Sequence, residues 1–123
     1  MRIFAYETRP DEQTQMEALA QTLGVELETS AAVPGPDTAA LSAGCEGVSI
    51  LGQGTIDAAL LDQFYAQGVR YLSTRTVGYN HIDLRHAREL GMRVCNASYD
   101  PDGVADFTVM LLLMCLRQYK QAM

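Results

Sequence analysis

Histidine occurs only twice and cysteine three times in these 123 residues, and each scarcity removes a class of chemistry. Cys45, Cys95 and Cys115 are odd in number, widely spaced and set among apolar neighbours. That pattern suits reduced core thiols, not a disulfide framework or a zinc module. His81 and His86 stand five apart, which is not the spacing of a helical metal pair, and no carboxylate or cysteine cluster completes a coordination set. No metal site is expected. Positive charge is also short: nine Lys and Arg against fifteen Asp and Glu leave a net charge of −6. Without a basic patch to offset it, that balance argues against nucleic acid or anionic lipid as a partner. The longest apolar run, VMLLLMCL at 109–116, falls far short of the ~18 residues that span a bilayer. Met1-Arg2 leads straight into IFAY with no secretory pattern, so a cytoplasmic protein is expected.

What is present is an ordinary globular composition, 48% hydrophobic and 20% charged, on a chain of single-domain size. Strand-like runs recur at 2–7 (RIFAYE), 25–29 (VELET), 47–52 (GVSILG), 70–75 (RYLSTR) and 93–97 (RVCNA), with helical patterns between them. That alternation predicts a parallel sheet. Met16, Leu19, Ala20 and Leu23 share one face of a helix that Pro10 opens and Gly24 closes. A weaker helix is expected over 35–44. A strong one is expected over 55–68, with Thr55 as its cap and Gly68 as its stop, and another from HIDLRHAREL to Gly91. Five strands with helical crossovers in this length predict an α/β, flavodoxin-like three-layer sandwich with sheet order 2-1-3-4-5. Ligands of such folds bind beyond the carboxyl ends of the strands, so the informative loops follow Glu7, Leu51, Arg75 and Ala97.

The third loop, LGQGTID, brackets Gln53 with Gly52 and Gly54, but Asp57 stands where a dinucleotide fingerprint needs its third glycine. A tight turn that admits a small ligand or an adjacent loop to the backbone is the better reading. In the fourth loop, TRTVGYNHID, Gly78 can take a conformation closed to other residues, so amides around Val77 and Gly78 would point into one concavity and bind a carboxylate. Asn80 and Asp83 are candidate helix caps, Arg75 fits an anion partner or a surface ion pair equally, and Tyr99 in the fifth loop either reaches the same mouth or covers the sheet edge. His81 lies near that mouth without an identifiable partner. A phosphoacceptor receiver domain has this layout but needs acidic residues, an aspartate and a lysine where the chain has ETRP, GQGT and NASYDP. A flavin-phosphate loop is likewise missing from YETRPDE.

The blocks YLSTRTVGYNHIDL (71–84) and RVCNASYDPDGVADFTVMLLLMCLR (93–117) resemble the N-terminal part of the D-isomer-specific 2-hydroxyacid dehydrogenases, nearest to the D-lactate dehydrogenases, including the vancomycin-resistance type. The resemblance implies that residues 1–100 form a flavodoxin-like substrate domain. Residues 101–123, with the motif Pro101, Val104, Ala105 and Asp106, would form a long helix joining it to a Rossmann NAD domain inserted into the substrate domain. It further implies that the Val77 and Gly78 amides hold the carboxylate of a 2-oxo acid such as pyruvate, that Tyr99 lines the pocket and that the Gln53 loop approaches it. The family's catalytic arginine, glutamate and histidine and its nucleotide loop map onto nothing in this chain, so NAD belongs to the complete enzyme and the chain alone is expected to be inactive. Asp100 and Gly103 depart from the family pattern; Asp100 is expected to point outward as a cap.

The alternative is a standalone small-carboxylate-binding or interaction module that kept the fold. The final helix discriminates. It is apolar nearly all round from 109 to 116 and expects burial on more than one face, through self-association of the 104–119 helix as a homodimer or contact with a cofactor domain. A plainer reading has it covering the sheet like any crossover, with methionines filling gaps.

Overall fold

A computed structural model describes residues 1–122 of the chain. Strands β1 (Arg2–Ala5), β2 (Glu26–Thr29), β3 (Gly47–Ile50), β4 (Tyr71–Thr74) and β5 (Arg93–Asn96) pair in parallel in the order β2-β1-β3-β4-β5, the order that the alternating pattern predicts. Helices α1 (Pro10–Leu23), α2 (Ala58–Ala66), α3 (Leu84–Glu89), α4 (Asp102–Leu116) and α5 (Tyr119–Ala122) accompany them. Between β2 and β3 the expected helix over 35–44 contracts to a 3₁₀ turn, Ala39–Ser42. Its flanking Gly-Pro and Ala-Gly pairs leave too few residues for a helical nucleus.

The register separates the two faces of the sheet. Phe4, Val48, Leu72 and Val94 stand side by side across β1, β3, β4 and β5 and face the side occupied by α2 and α3. There Leu60, Leu61 and Phe64 of α2 pack with Ile50, Ile56, Val69, Ile82 and Met92 into one continuous core. Each fully buried side chain of this size contributes about 1.5–3 kcal/mol. Cys45 belongs to this core, and burial pushes its thiol pKa up, which keeps it protonated and unreactive. The other two cysteines are not core residues. Cys95 faces the opposite side of the sheet from Val94, and Cys115 lies on α4; both are exposed and free.

Local chemistry sets the helix ends. Glu12 accepts the Arg9 backbone N–H at 3.0 Å, Pro10 follows as the first helical residue, and α1 stops at Gly24 with φ 65°. Helix α2 begins at Ala58 with Asp57 as its cap, accepting from Leu60 N at 2.9 Å, and not at Thr55. Residues 55–57 are instead held by the Ile56–Ile82 bridge between the loops after β3 and β4. Asp83 caps α3 and Asp100 accepts from Asp102 N at the start of α4, both as expected.

The second face is sparsely covered. Helix α1 has no buried residue, Leu19 and Leu23 remain 60% and 72% exposed, and an apolar groove of about 650 Å³ opens between the helix and the strands. Its floor is small: Ser49, Ser73 and Cys95 share one register row and Gly47 sits in the next. Helix α4 likewise has no buried residue, so it does not cover the sheet. It also ends sooner than the apolar pattern predicts, at Leu116, where Gln118 with φ 48° separates it from α5.

Candidate functional site

In this fold the default ligand crevice lies between the carboxyl ends of β1 and β3. Here the protein fills it. The chain leaves β1 through Tyr6 and turns at Glu7, whose φ of 54° is in the left-handed region and whose side chain points inward, leaving the residue 3% exposed. Its carboxylate accepts three successive backbone N–H groups from the loop after β3: Leu51 at 2.5 Å, Gly52 at 2.9 Å and Gln53 at 2.6 Å. Three converging amides form an anion seat, and its occupant is covalently part of the chain.

Arg75 completes the closure from β4. Its guanidinium donates to the carbonyls of Tyr6 (2.9 Å) and Glu7 (3.1 Å), to the Ser49 hydroxyl (3.0 Å) and to the Glu12 carboxylate (3.2 Å). Both partners of the ion pair are about four-fifths buried, with 19% and 21% of the side chains exposed. Arg75 is therefore a clamp joining β1, β3 and the start of α1, not a surface residue or a free anion ligand. Sequence reasoning missed Glu7 altogether, since its three partners lie 44 to 46 residues away and no local pattern marks them.

The loop after β3 is closely packed at both glycines. Gly52, at φ 108°, lies against His81 and Thr76: a Cβ there would stand 3.3 Å from the imidazole and 3.4 Å from the threonine methyl. Gly54 touches the loop after β2, where a Cβ would sit 2.7 Å from the Pro34 carbonyl. An adjacent loop, as the sequence suggests, thus reaches the backbone. The side chain of Gln53 between them is exposed. His81 serves packing: its ring fits against Gly52 and its carbonyl accepts from Ile56 N at 2.8 Å.

The turn after β4 is built differently. Thr76 donates its hydroxyl to the Gly78 carbonyl at 2.7 Å, Asn96 of β5 donates to the Val77 carbonyl at 2.8 Å, and Ala97 N bonds the Thr76 carbonyl at 3.0 Å. The turn's carbonyls are thereby satisfied. The N–H groups of Val77 and Gly78 have no protein acceptor among the described residues, and both residues are exposed. Gly78 does not take the left-handed conformation expected of it, and a Cβ added there would meet nothing within 4 Å. The turn is held by Thr76 and Asn96 instead, so its shape does not depend on glycine.

Tyr99, on the connection from β5 to α4, is 57% exposed, and its hydroxyl has no hydrogen bond among the described residues. It does not cover the sheet edge. The arrangement offers one closed anion seat, occupied by Glu7, and one pair of unpartnered amides at Val77 and Gly78, with Gln53 and Tyr99 on neighbouring loops. No three His, Cys, Asp or Glu residues among those described are grouped to hold a metal, and no described helix is long and apolar enough to cross a membrane.

Comparison with known proteins bears on this geometry. The family profile described as D-isomer specific 2-hydroxyacid dehydrogenase, catalytic domain, matches residues 3–117. The aromatic 2-oxoacid reductase of Clostridium sporogenes is 38% identical over 119 residues, which is 96% of this chain and 36% of that protein. The apo-structure of D-lactate dehydrogenase from Escherichia coli superposes with a TM-score of 0.85 at 28% identity, covering 99% of this chain and 39% of that one. An NAD-complexed D-isomer specific 2-hydroxyacid dehydrogenase from Lactobacillus delbrueckii superposes with a TM-score of 0.77 at 26% identity, over 98% of this chain and 37% of that one. The chain thus spans little more than a third of the length of the relatives it matches.

Proposed function

Because the chain belongs to the D-isomer specific 2-hydroxyacid dehydrogenase family, we propose that it is the substrate-binding part of an NAD-dependent D-2-hydroxyacid dehydrogenase, with a 2-oxo acid such as pyruvate as substrate and D-lactate as product. The observation that carries this reading is the contrast between the two amide groups. The seat at Leu51–Gln53 is filled by Glu7, whereas the Val77 and Gly78 N–H groups lack protein acceptors. A substrate carboxylate is an acceptor of the right kind for that pair, and charge-assisted bonds to two amides fix its orientation. Tyr99 and Gln53 then line the side of the mouth. Arg75 takes no part in binding, being engaged by four protein oxygens.

The described residues do not fit a dinucleotide. The glycine-bracketed loop after β3 has its amides engaged by Glu7, and Gly54 is shut against Pro34. NAD therefore belongs to the remainder of the full-length protein, as do the groups that polarise and protonate the substrate carbonyl, and residues 1–123 alone are catalytically silent. Helix α4 leads toward that remainder, which supports residues 1–100 as substrate domain and 101–123 as connection. The all-round apolar exposure of α4 supports a second reading only as far as assembly: the helix joins a cofactor domain or a second copy, and the complete protein is a cytoplasmic homodimer. A standalone carboxylate-binding module is disfavoured by the same exposure.

The test is oxidation of NADH by the purified full-length gene product with pyruvate and with phenylpyruvate, an aromatic 2-oxo acid. Turnover of pyruvate in preference to phenylpyruvate supports the reading; the reverse preference moves the substrate to the aromatic class. No turnover of either overturns it.

A further inference from the structure

Glu7 holds a position that is costly on three counts. Its backbone is in a region that glycine enters freely and glutamate does not. Its carboxylate is removed from water, and no described residue forms an ion pair with it; the compensation comes from the Leu51, Gly52 and Gln53 amides alone. Such arrangements persist where the surrounding structure uses them. What this one fixes is the loop that carries Gln53 and that presses Gly52 against Thr76 and His81, the two flanks of the Val77-Gly78 turn. An empty seat at this place would also present three free amides to any small carboxylate entering the mouth, in competition with the turn.

We propose that Glu7 is a positioning residue for the 2-oxo acid: as a built-in carboxylate it sets the Gln53 loop as one wall of the mouth and leaves the Val77 and Gly78 amides as the sole open seat. The inference rests on the substrate reading above and adds a residue to it. It is distinct from a catalytic role, since Glu7 acts through the loop and touches no reacting atom.

The experiment is steady-state kinetics of the full-length protein with pyruvate, comparing wild type with Glu7→Ala and Glu7→Gln. Failure of the wild type to reduce any 2-oxo acid would defeat the substrate reading itself, and is thereby separable from the behaviour of the variants. Given wild-type turnover, Glu7→Ala is expected to raise the KM for pyruvate roughly tenfold, with the KM for NADH unchanged, the size of effect that follows from losing a charge-assisted hydrogen bond at a binding wall. The atoms removed, Cγ with its carboxylate, are those of acetate. Millimolar acetate should therefore lower the KM of Glu7→Ala toward wild type while only inhibiting the wild type and Glu7→Gln, whose longer side chain blocks the vacated space. A KM equal to wild type in both variants, or a raised KM that acetate does not lower, would overturn the proposal. Failure of both variants to fold would overturn it too, by assigning Glu7 to folding alone.

Discussion

Gly78 and His86 illustrate opposite relations between a side chain and its surroundings. At Gly78 the fold makes no demand: the backbone angle is ordinary and an added Cβ meets open space. Gly78→Val should leave stability within about 0.5 kcal/mol of wild type, as for other open surface positions, but crowd the two amides and raise the KM for pyruvate in the full-length protein by roughly tenfold or more. An unchanged KM would remove the amide pair from the binding site. At His86 the surroundings act on a titration. Nε2 donates to Asp62 at 2.7 Å, linking α3 to α2, and this hydrogen bond raises the histidine pKa, with the charges of Asp62, Glu89 and Asp83 acting in the same direction. A folded-state pKa above the unfolded value of about 6.5 stabilises fully below that pH and is lost as pH rises through the folded value. The urea midpoint of Asp62→Asn should therefore fall furthest below wild type near pH ~5.5, and the gap should close at higher pH as His86 deprotonates. A gap that widens with pH would contradict the linkage.

The helix α1 depends on a few polar ties, since it buries no residue of its own. Arg75 is the chief tie, because it joins Glu12 in the first turn to the end of β1. Arg75→Met should cost about 2–3 kcal/mol through the acceptors it leaves without a donor, and backbone amides of α1 should exchange faster than those of α2; uniform exchange across both helices would show that the clamp does not anchor α1. Such ties are what the sequence conceals. Strands were legible because each is a short β-rich run closed by turn residues, and the runs overshoot the strands by a residue or two: Val25 and Arg70 precede β2 and β4, and 47–52 includes Leu51 and Gly52, which leave the sheet to bond Glu7. Helix ends followed local chemistry at Pro10, Gly24 and Asp83, but Thr55 yielded to Asp57 because the Ile56–Ile82 bridge, a contact between distant loops, delays the helix. The strand order, legible in the sequence, fixes which loops emerge beyond the carboxyl ends of the strands, whereas Glu7 and the internal role of Arg75 depend on partners far along the chain. The Val77-Gly78 turn was picked out for a glycine conformation it does not adopt; Thr76 and Asn96 shape it instead.

The whole molecule presents 8273 Å² of accessible surface at 13.5 kDa, against about 6,500 Å² for a compact monomer of that mass. The excess exceeds the ~800 Å² that one partner contributes to a standard interface, and α4 and the open sheet face account for its apolar character. Residues 1–123 on their own should accordingly self-associate in sedimentation at micromolar concentration and bind a hydrophobic dye, and Leu112→Lys with Leu116→Lys should weaken association; a clean monomer that ignores the dye would place these surfaces among ordinary exposed ones. Surface already wet in the folded state has a calorimetric consequence as well. Unfolding adds little new apolar hydration from α4 or the groove, so the heat-capacity increment should fall below the usual ~12–15 cal/mol/K per residue by an amount on the order of 0.5 kcal/mol/K for the chain. The free-energy curve of the isolated segment is then flat and low across temperature, and curvature returns only when those faces are dried by whatever the complete protein lays upon them.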